Sequence, residues 1–218
     1  MRFAAILFDL DDTLHDRAGS LRAFVADQQR RWLDGRVEPA GFIERLVVLD
    51  ANGHLAKSTL YPRLLDELNI ADVDPAALAA DYGARYQAFA RPRDDALGTL
   101  AALRRRGIKL GVVSNGWTDF QLRTLVASGL EDTVDVVLIS QAEGLRKPDR
   151  RLFERAAVQL GVATKECLFV GDNPVADIDG ARGAGMRTAW IRGGFDWPAD
   201  LARADWDIDS LAQLLDIA

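Results

Sequence analysis

The chain holds a single cysteine, Cys167, so no disulfide can form within it and a thiolate zinc cluster is disfavoured. Histidine is almost as scarce: His15 and His54 are the only two, too few to frame a histidine metal site. Long apolar runs are missing too. The longest is Phe3 to Phe8, far short of the ~20 residues of a membrane-spanning helix. That run ends at Asp9, too soon for a secretion signal, so the start of the chain is expected to belong to the fold. A cytoplasmic location with no membrane partner is the expectation. Basic charge is in deficit, with a formal net charge of -6. The one dense basic cluster, Arg104-Arg105-Arg106, reads as a solvated helix end, so a nucleic acid polymer is not an expected partner.

What is present is a soluble globular composition: 218 residues, 49% hydrophobic and 28% charged, enough to bury a full core and too apolar for disorder. Of the 33 acidic residues 26 are aspartate, a bias that suits turns, helix caps and hard-metal ligation.

Phe3-Ala4-Ala5-Ile6-Leu7-Phe8 reads as a central parallel strand covered on both faces, because it does not alternate. Similar runs recur at Ile108 to Ser114, Val134 to Ile139, Leu168 to Val170 and Thr188 to Ile191. Helical stretches lie between them, Ala96 to Arg106, Asp119 to Ser128 and Asp149 to Leu160, each stopped by a glycine. Strands separated by helices predict a parallel α/β sheet. Residues 15–90 break that rhythm. Leu21, Phe24, Val25 and Trp32 share one helical face, and Phe42, Ile43, Leu46 and Val47 another. Leu60, Leu64, Leu65 and Leu68 mark a third helix, and Asp74-Pro75 opens a fourth. The expectation is an α/β domain of residues 1–14 and 91–218, interrupted by a helical domain of residues 15–90.

Four segments at strand ends carry chemistry. Asp9-Leu10-Asp11-Asp12-Thr13 follows the first strand, so its acids emerge at the carboxyl edge of the sheet, where open α/β folds bind ligands. The spacing of Asp9 and Asp11 can give two carboxylates different jobs. Ser114-Asn115-Gly116 offers a hydroxyl, an amide and backbone donors for phosphate oxygens. Lys147, one of four lysines against 23 arginines, stands just before Pro148 and could bridge several anions. Gly171-Asp172-Asn173-Pro174-Val175-Ala176-Asp177 supplies two acids, hard oxygen ligands that suit magnesium.

In this order, these segments resemble the motifs of the haloacid dehalogenase-like hydrolase superfamily, in its phosphatase branch with a type 1 helical cap. The resemblance implies a Rossmann-like parallel sheet of order 5-4-1-2-3, with the cap closing over its carboxyl edge. It implies that Asp9 is a nucleophile forming an aspartyl-phosphate and that Asp11 is the general acid and base. Ser114 and Lys147 would complete the catalytic set, and Thr13, Ser114, Asn115, Gly116 and Lys147 would bind the phosphate. Mg2+ would sit on Asp9, the main-chain carbonyl of Asp11 and Asp172, with Asp177 as ligand or neighbour. Dehalogenating members lack the second acid because a halide leaves without a proton, so Asp11 argues for phosphate chemistry.

The expected activity is hydrolysis of a small phosphomonoester, of nucleotide or sugar phosphate type, by a monomer or homodimer. Two alternatives stay open: a phosphomutase of the beta-phosphoglucomutase type, and a non-enzymatic receiver-like phospho-acceptor module. The remaining conspicuous residues have plainer readings. Cys167 packs as a small hydrophobe, His54 lies on the helical domain's surface, and Trp117, Trp190, Trp197 and Trp206 pack in the core or at lid edges, although Trp117, just past the Ser114 turn, could stack on a substrate ring. His15 is a candidate for the site by its nearness to Asp11.

Overall fold

The structure is a computed structural model that describes residues 3–35 and 37–218. Six strands form one sheet: β1 (Ala5–Phe8), β2 (Lys109–Ser114), β3 (Val136–Ile139), β4 (Cys167–Gly171), β5 (Arg187–Ile191) and β6 (Trp206–Ile208). The order is β3-β2-β1-β4-β5-β6 and every pairing is parallel, the order expected for five strands with β6 added outside β5. β1 lies at the centre because all four of its residues are apolar and buried. Their side chains alternate between two cores. Ile6 and Phe8 join Leu110, Val112, Leu168 and Val170 on one face, while Ala5 and Leu7 join Val113, Leu138 and Phe169 on the other.

Contacts divide the chain into two compact units, Met1–Asp16 with Arg91–Ala218, and Arg17–Ala90. The second unit consists of α1 (Arg17–Leu33), α2 (Pro39–Asp50), α3 (Lys57–Glu67) and α4 (Pro75–Arg85), with short helical turns between them. Asp74 caps α4 by accepting the Ala76 N–H at 2.9 Å, and Pro75 opens it. Leu21, Phe24, Val25, Phe42, Leu46, Leu60, Leu64 and Leu65 form the buried stripes. Trp32 is only half-buried. The stripe on α1 steps by four through Leu21, Val25 and Gln29 to Leu33, which takes the buried place. Asp50, at the end of α2, is buried against Arg17 at 2.6 Å and Lys57 at 2.5 Å.

In the first unit the sheet is flanked by α5 (Ala96–Arg105), α6 (Thr118–Ala127), the short α7 (Ser140–Glu143) and α8 (Arg150–Leu160). Leu100 and Leu103 of α5 cover one core, and Leu152, Phe153, Ala156 and Leu160 of α8 the other. Gly161, at φ +66°, ends α8 in the left-handed conformation that only glycine adopts without strain. Register decides where the chemistry falls. Phe8 lies opposite both Val112 and Val170, so β1, β2 and β4 end within two residues of one another and the residues that follow them share one edge.

Candidate active site

Asp9 leaves β1 with its main-chain N–H donated to the Val170 carbonyl at 2.9 Å, which holds its buried side chain at the sheet edge. The ammonium of Lys147 sits 2.5 Å from Asp9 Oδ1 and 2.7 Å from Asp177 Oδ1. Asp172 follows β4, and oxygens of Asp9, Asp172 and Asp177 all lie within 4.8 Å of one another. All three acids are buried, as is Lys147.

Three carboxylates against one ammonium leave an excess of negative charge away from water, and the acids respond. Burial pushes the Asp9 carboxyl up to about 7. Lys147 opposes the rise, while Asp177 and Asp11 add to it. Burial, then Asp9, Asp177 and Asp12, push Asp172 up to about 9. Lys147 moves upward as well: Asp177 and Asp9 outweigh the burial that would neutralise it. A hard divalent cation fits this cluster, because close, buried carboxylate oxygens that cannot all ionise alone are the donor set magnesium takes.

Local structure explains how Asp177 arrives there. Asn173 accepts the N–H groups of Val175 and Ala176, opening a π-helical turn over Pro174–Asp179. The wide turn carries Asp177 back over Gly171, and its Oδ2 accepts the Asn173 N–H at 3.0 Å. A Cβ at position 171 would lie 2.5 Å from the Asp177 Cβ, so this strand end must be glycine to admit the carboxylate.

Asp11 stands apart from the acid cluster. Its Oδ1 lies 2.8 Å from His15 Nδ1, and its Oδ2 accepts from Gln121 Nε2 at 2.9 Å. The same Gln121 nitrogen donates to Ser114 Oγ at 2.8 Å. Asn115 has a different task from the phosphate contact expected of its side chain. Its Oδ1 accepts the Lys147 N–H at 2.9 Å and its Nδ2 donates to the Lys147 carbonyl at 3.1 Å, so its amide braces the lysine. The Gly116 N–H donates to Ser140 Oγ at 3.0 Å. Thr13 Oγ1 is buried with no hydrogen-bond partner among the described residues.

The structure thus gathers Asp9, Asp11, Ser114, Asn115, Gly116, Lys147, Asp172 and Asp177 around one edge. It adds four residues not expected there or not given these tasks: His15 on Asp11, Gln121 between Asp11 and Ser114, Gly171 beneath Asp177, and Trp190, whose Nε1–H donates to the Asp172 carbonyl at 2.7 Å. The one sequence signal for Gln121 is an uncharged amide in the first turn of the helix after the Ser114 loop, too common to single out. One expectation fails outright. Trp117 does not pack in the core but is 73% exposed, because it precedes α6 at the loop tip.

Against known proteins, residues 3–185 match the model of a family described as haloacid dehalogenase-like hydrolase. A glyceraldehyde 3-phosphate phosphatase of Methanopyrus kandleri is 33% identical, over 98% of this chain and 96% of its own. A Mycobacterium tuberculosis protein named as a phosphatase is 36% identical over 99% and 98%. Among solved structures, the HAD-hydrolase YfnB of Bacillus subtilis, bound to magnesium, covers 100% of this chain and 99% of its own at a TM-score of 0.79 and 23% identity, a likeness of fold.

Proposed function

Because the chain belongs to the haloacid dehalogenase-like hydrolase family, as a phosphoric monoester hydrolase, we propose that it is a magnesium-dependent phosphatase working through an aspartyl-phosphate on Asp9. The observation that carries the reading is the separation of two carboxyls only two residues apart. Asp9 lies in the acid cluster against Lys147, while Asp11 is held outside it by His15 and Gln121.

In the first step Asp9 Oδ attacks phosphorus as the bond to the ester oxygen breaks, and Asp11 gives that oxygen its proton. In the second, water attacks the phosphorus and Asp11 takes its proton, which releases inorganic phosphate and restores Asp9. Repulsion is the obstacle. A phosphomonoester dianion beside Asp9 and Asp172 assembles four negative charges, and each close pair costs roughly 4 kcal/mol at 4 Å in an effective dielectric near 20. Lys147 offsets one of them. Magnesium, held by Asp9, Asp172 and the Asp11 main-chain carbonyl with Asp177 alongside, would supply two further positive charges to the phosphoryl oxygens. Ser114 Oγ–H and the unpartnered Thr13 hydroxyl are the donors assigned to those oxygens.

The helical unit Arg17–Ala90 is assigned the role of cap and of substrate selection. The substrate class proposed is a small phosphorylated metabolite, a sugar or triose phosphate before a nucleotide. Support comes from full-length relatives named for glyceraldehyde 3-phosphate. The test is release of inorganic phosphate from a panel of monoesters with magnesium and with chelator. Turnover that survives chelation, or a panel left intact, would refute the reading.

A further inference from the structure

We infer that Gln121 is a positioning residue for leaving-group protonation, tying the Asp11 carboxyl to the Ser114 hydroxyl through one amide. The inference rests on the phosphatase reading and extends it to a residue outside the motifs. An amide NH2 carries two hydrogens, and Gln121 spends both: one on Asp11 Oδ2 at 2.9 Å, the other on Ser114 Oγ at 2.8 Å. With His15 Nδ1 at 2.8 Å from the other oxygen, the Asp11 carboxyl is gripped from both sides and cannot swing about its last bond. Ser114 Oγ, already accepting from Gln121, is left with its own O–H to donate toward phosphate.

Two independent features argue that this amide is not there for stability. Gln121 Oε1 is buried without a partner among the described residues, a cost that methionine or leucine in the same volume would avoid. The backbone also keeps room for the side chain. A Cβ at position 116 would lie 2.8 Å from Gln121 Cγ and 3.0 Å from Nε2, and Gly116 is not in the left-handed region, so it is space rather than conformation that requires glycine there.

When the phosphorus–oxygen bond breaks, its electron pair goes to the leaving oxygen and the Asp11 proton follows. An alkoxide needs that proton; p-nitrophenolate does not. kcat/KM covers the events up to formation of the phosphoenzyme, so it isolates this step from later hydrolysis. The experiment compares Gln121→Met with the unaltered protein on glycerol 3-phosphate and on p-nitrophenyl phosphate, with magnesium. The expected result is a loss in kcat/KM of about 10- to 100-fold on the alkyl ester and of about threefold or less on the aryl ester. Gly116→Ala, which pushes Gln121 aside, should show the same leaving-group bias, and the double variant should add little to it. Equal losses on both esters, or none, would overturn the assignment and leave Gln121 a packing residue. If Gln121→Met does not fold, the ratio for Gly116→Ala decides alone. An unaltered protein inert to both esters would instead sink the phosphatase reading, and this assignment with it.

Discussion

At the scale of single residues, the site depends on which atom holds which. Asp9→Asn removes the oxyanion proposed to attack phosphorus and is expected to abolish phosphate release. Asp11→Asn keeps the shape but carries no transferable proton, and should lower kcat about 100- to 10,000-fold on alkyl esters, as read by steady-state assay. Gly171 offers a test that touches no functional side chain. Gly171→Ala places a methyl group 2.5 Å from the Asp177 Cβ, so Asp177 must shift from its place against Lys147. Overpacking of this kind costs about 1–3 kcal/mol, measurable by urea denaturation, and magnesium affinity should fall in titration calorimetry. A stability within about 0.5 kcal/mol of the parent would show that Asp177 is not seated there.

At the scale of elements, the helical unit is built around a buried ion cluster. Burial pushes the Asp50 carboxyl up, but Arg17 and Lys57 hold it below the usual carboxylate range. Asp50→Asn strips the negative charge from two largely buried cations and should destabilise by about 3–5 kcal/mol. Hydrogen exchange should show the loss in amides of Arg17–Ala90, with those of β1, β2 and β4 unaffected. The elements themselves were unevenly legible. β1 to β5 announce themselves as short, predominantly apolar runs because most of their residues are buried between covered sheet faces. β6 does not: it is three residues at the sheet edge, Trp206-Asp207-Ile208, and its central residue is charged. The four acids of the site could be read because each follows β1 or β4 within a few residues, and Lys147 because it stands before the proline that leads into α8. His15 stands out only by its nearness to Asp11, and Gln121 and the bracing role of Asn115 could not be read at all. Gln121 meets Asp11 across 110 residues and Asn115 meets Lys147 across 32, through hydrogen bonds that no local pattern encodes.

At the scale of the whole molecule, the acid cluster links metal, proton and stability. In the unfolded chain Asp9 and Asp172 titrate near 3.8, whereas folding raises them to about 7 and about 9. Between those values the folded protein binds more protons than the unfolded one, so its stability without metal falls as pH rises from about 4 to about 9. On the proposed reading magnesium binds in place of those protons, so the stability it adds should grow over the same range. Scanning calorimetry with chelator should show Tm falling by roughly several degrees from about pH 5 to about pH 9. A magnesium increment no larger at the alkaline end would contradict the account.

The junction between the two units has a further consequence. The Asp16 N–H donates to the Arg91 carbonyl at 3.0 Å, the Arg91 guanidinium returns to the Asp16 carboxylate at 2.7 Å, and His15 bridges Pro92. The polypeptide therefore departs from the sheet domain and rejoins it through one doorway, closed by its own jambs. Seventy-odd residues hang from that doorway as a cassette that contributes no rung to the β ladder. On the proposed reading, a change of length or sequence inside that cassette should alter which ester is accepted while leaving the sheet that carries the phosphorus chemistry intact.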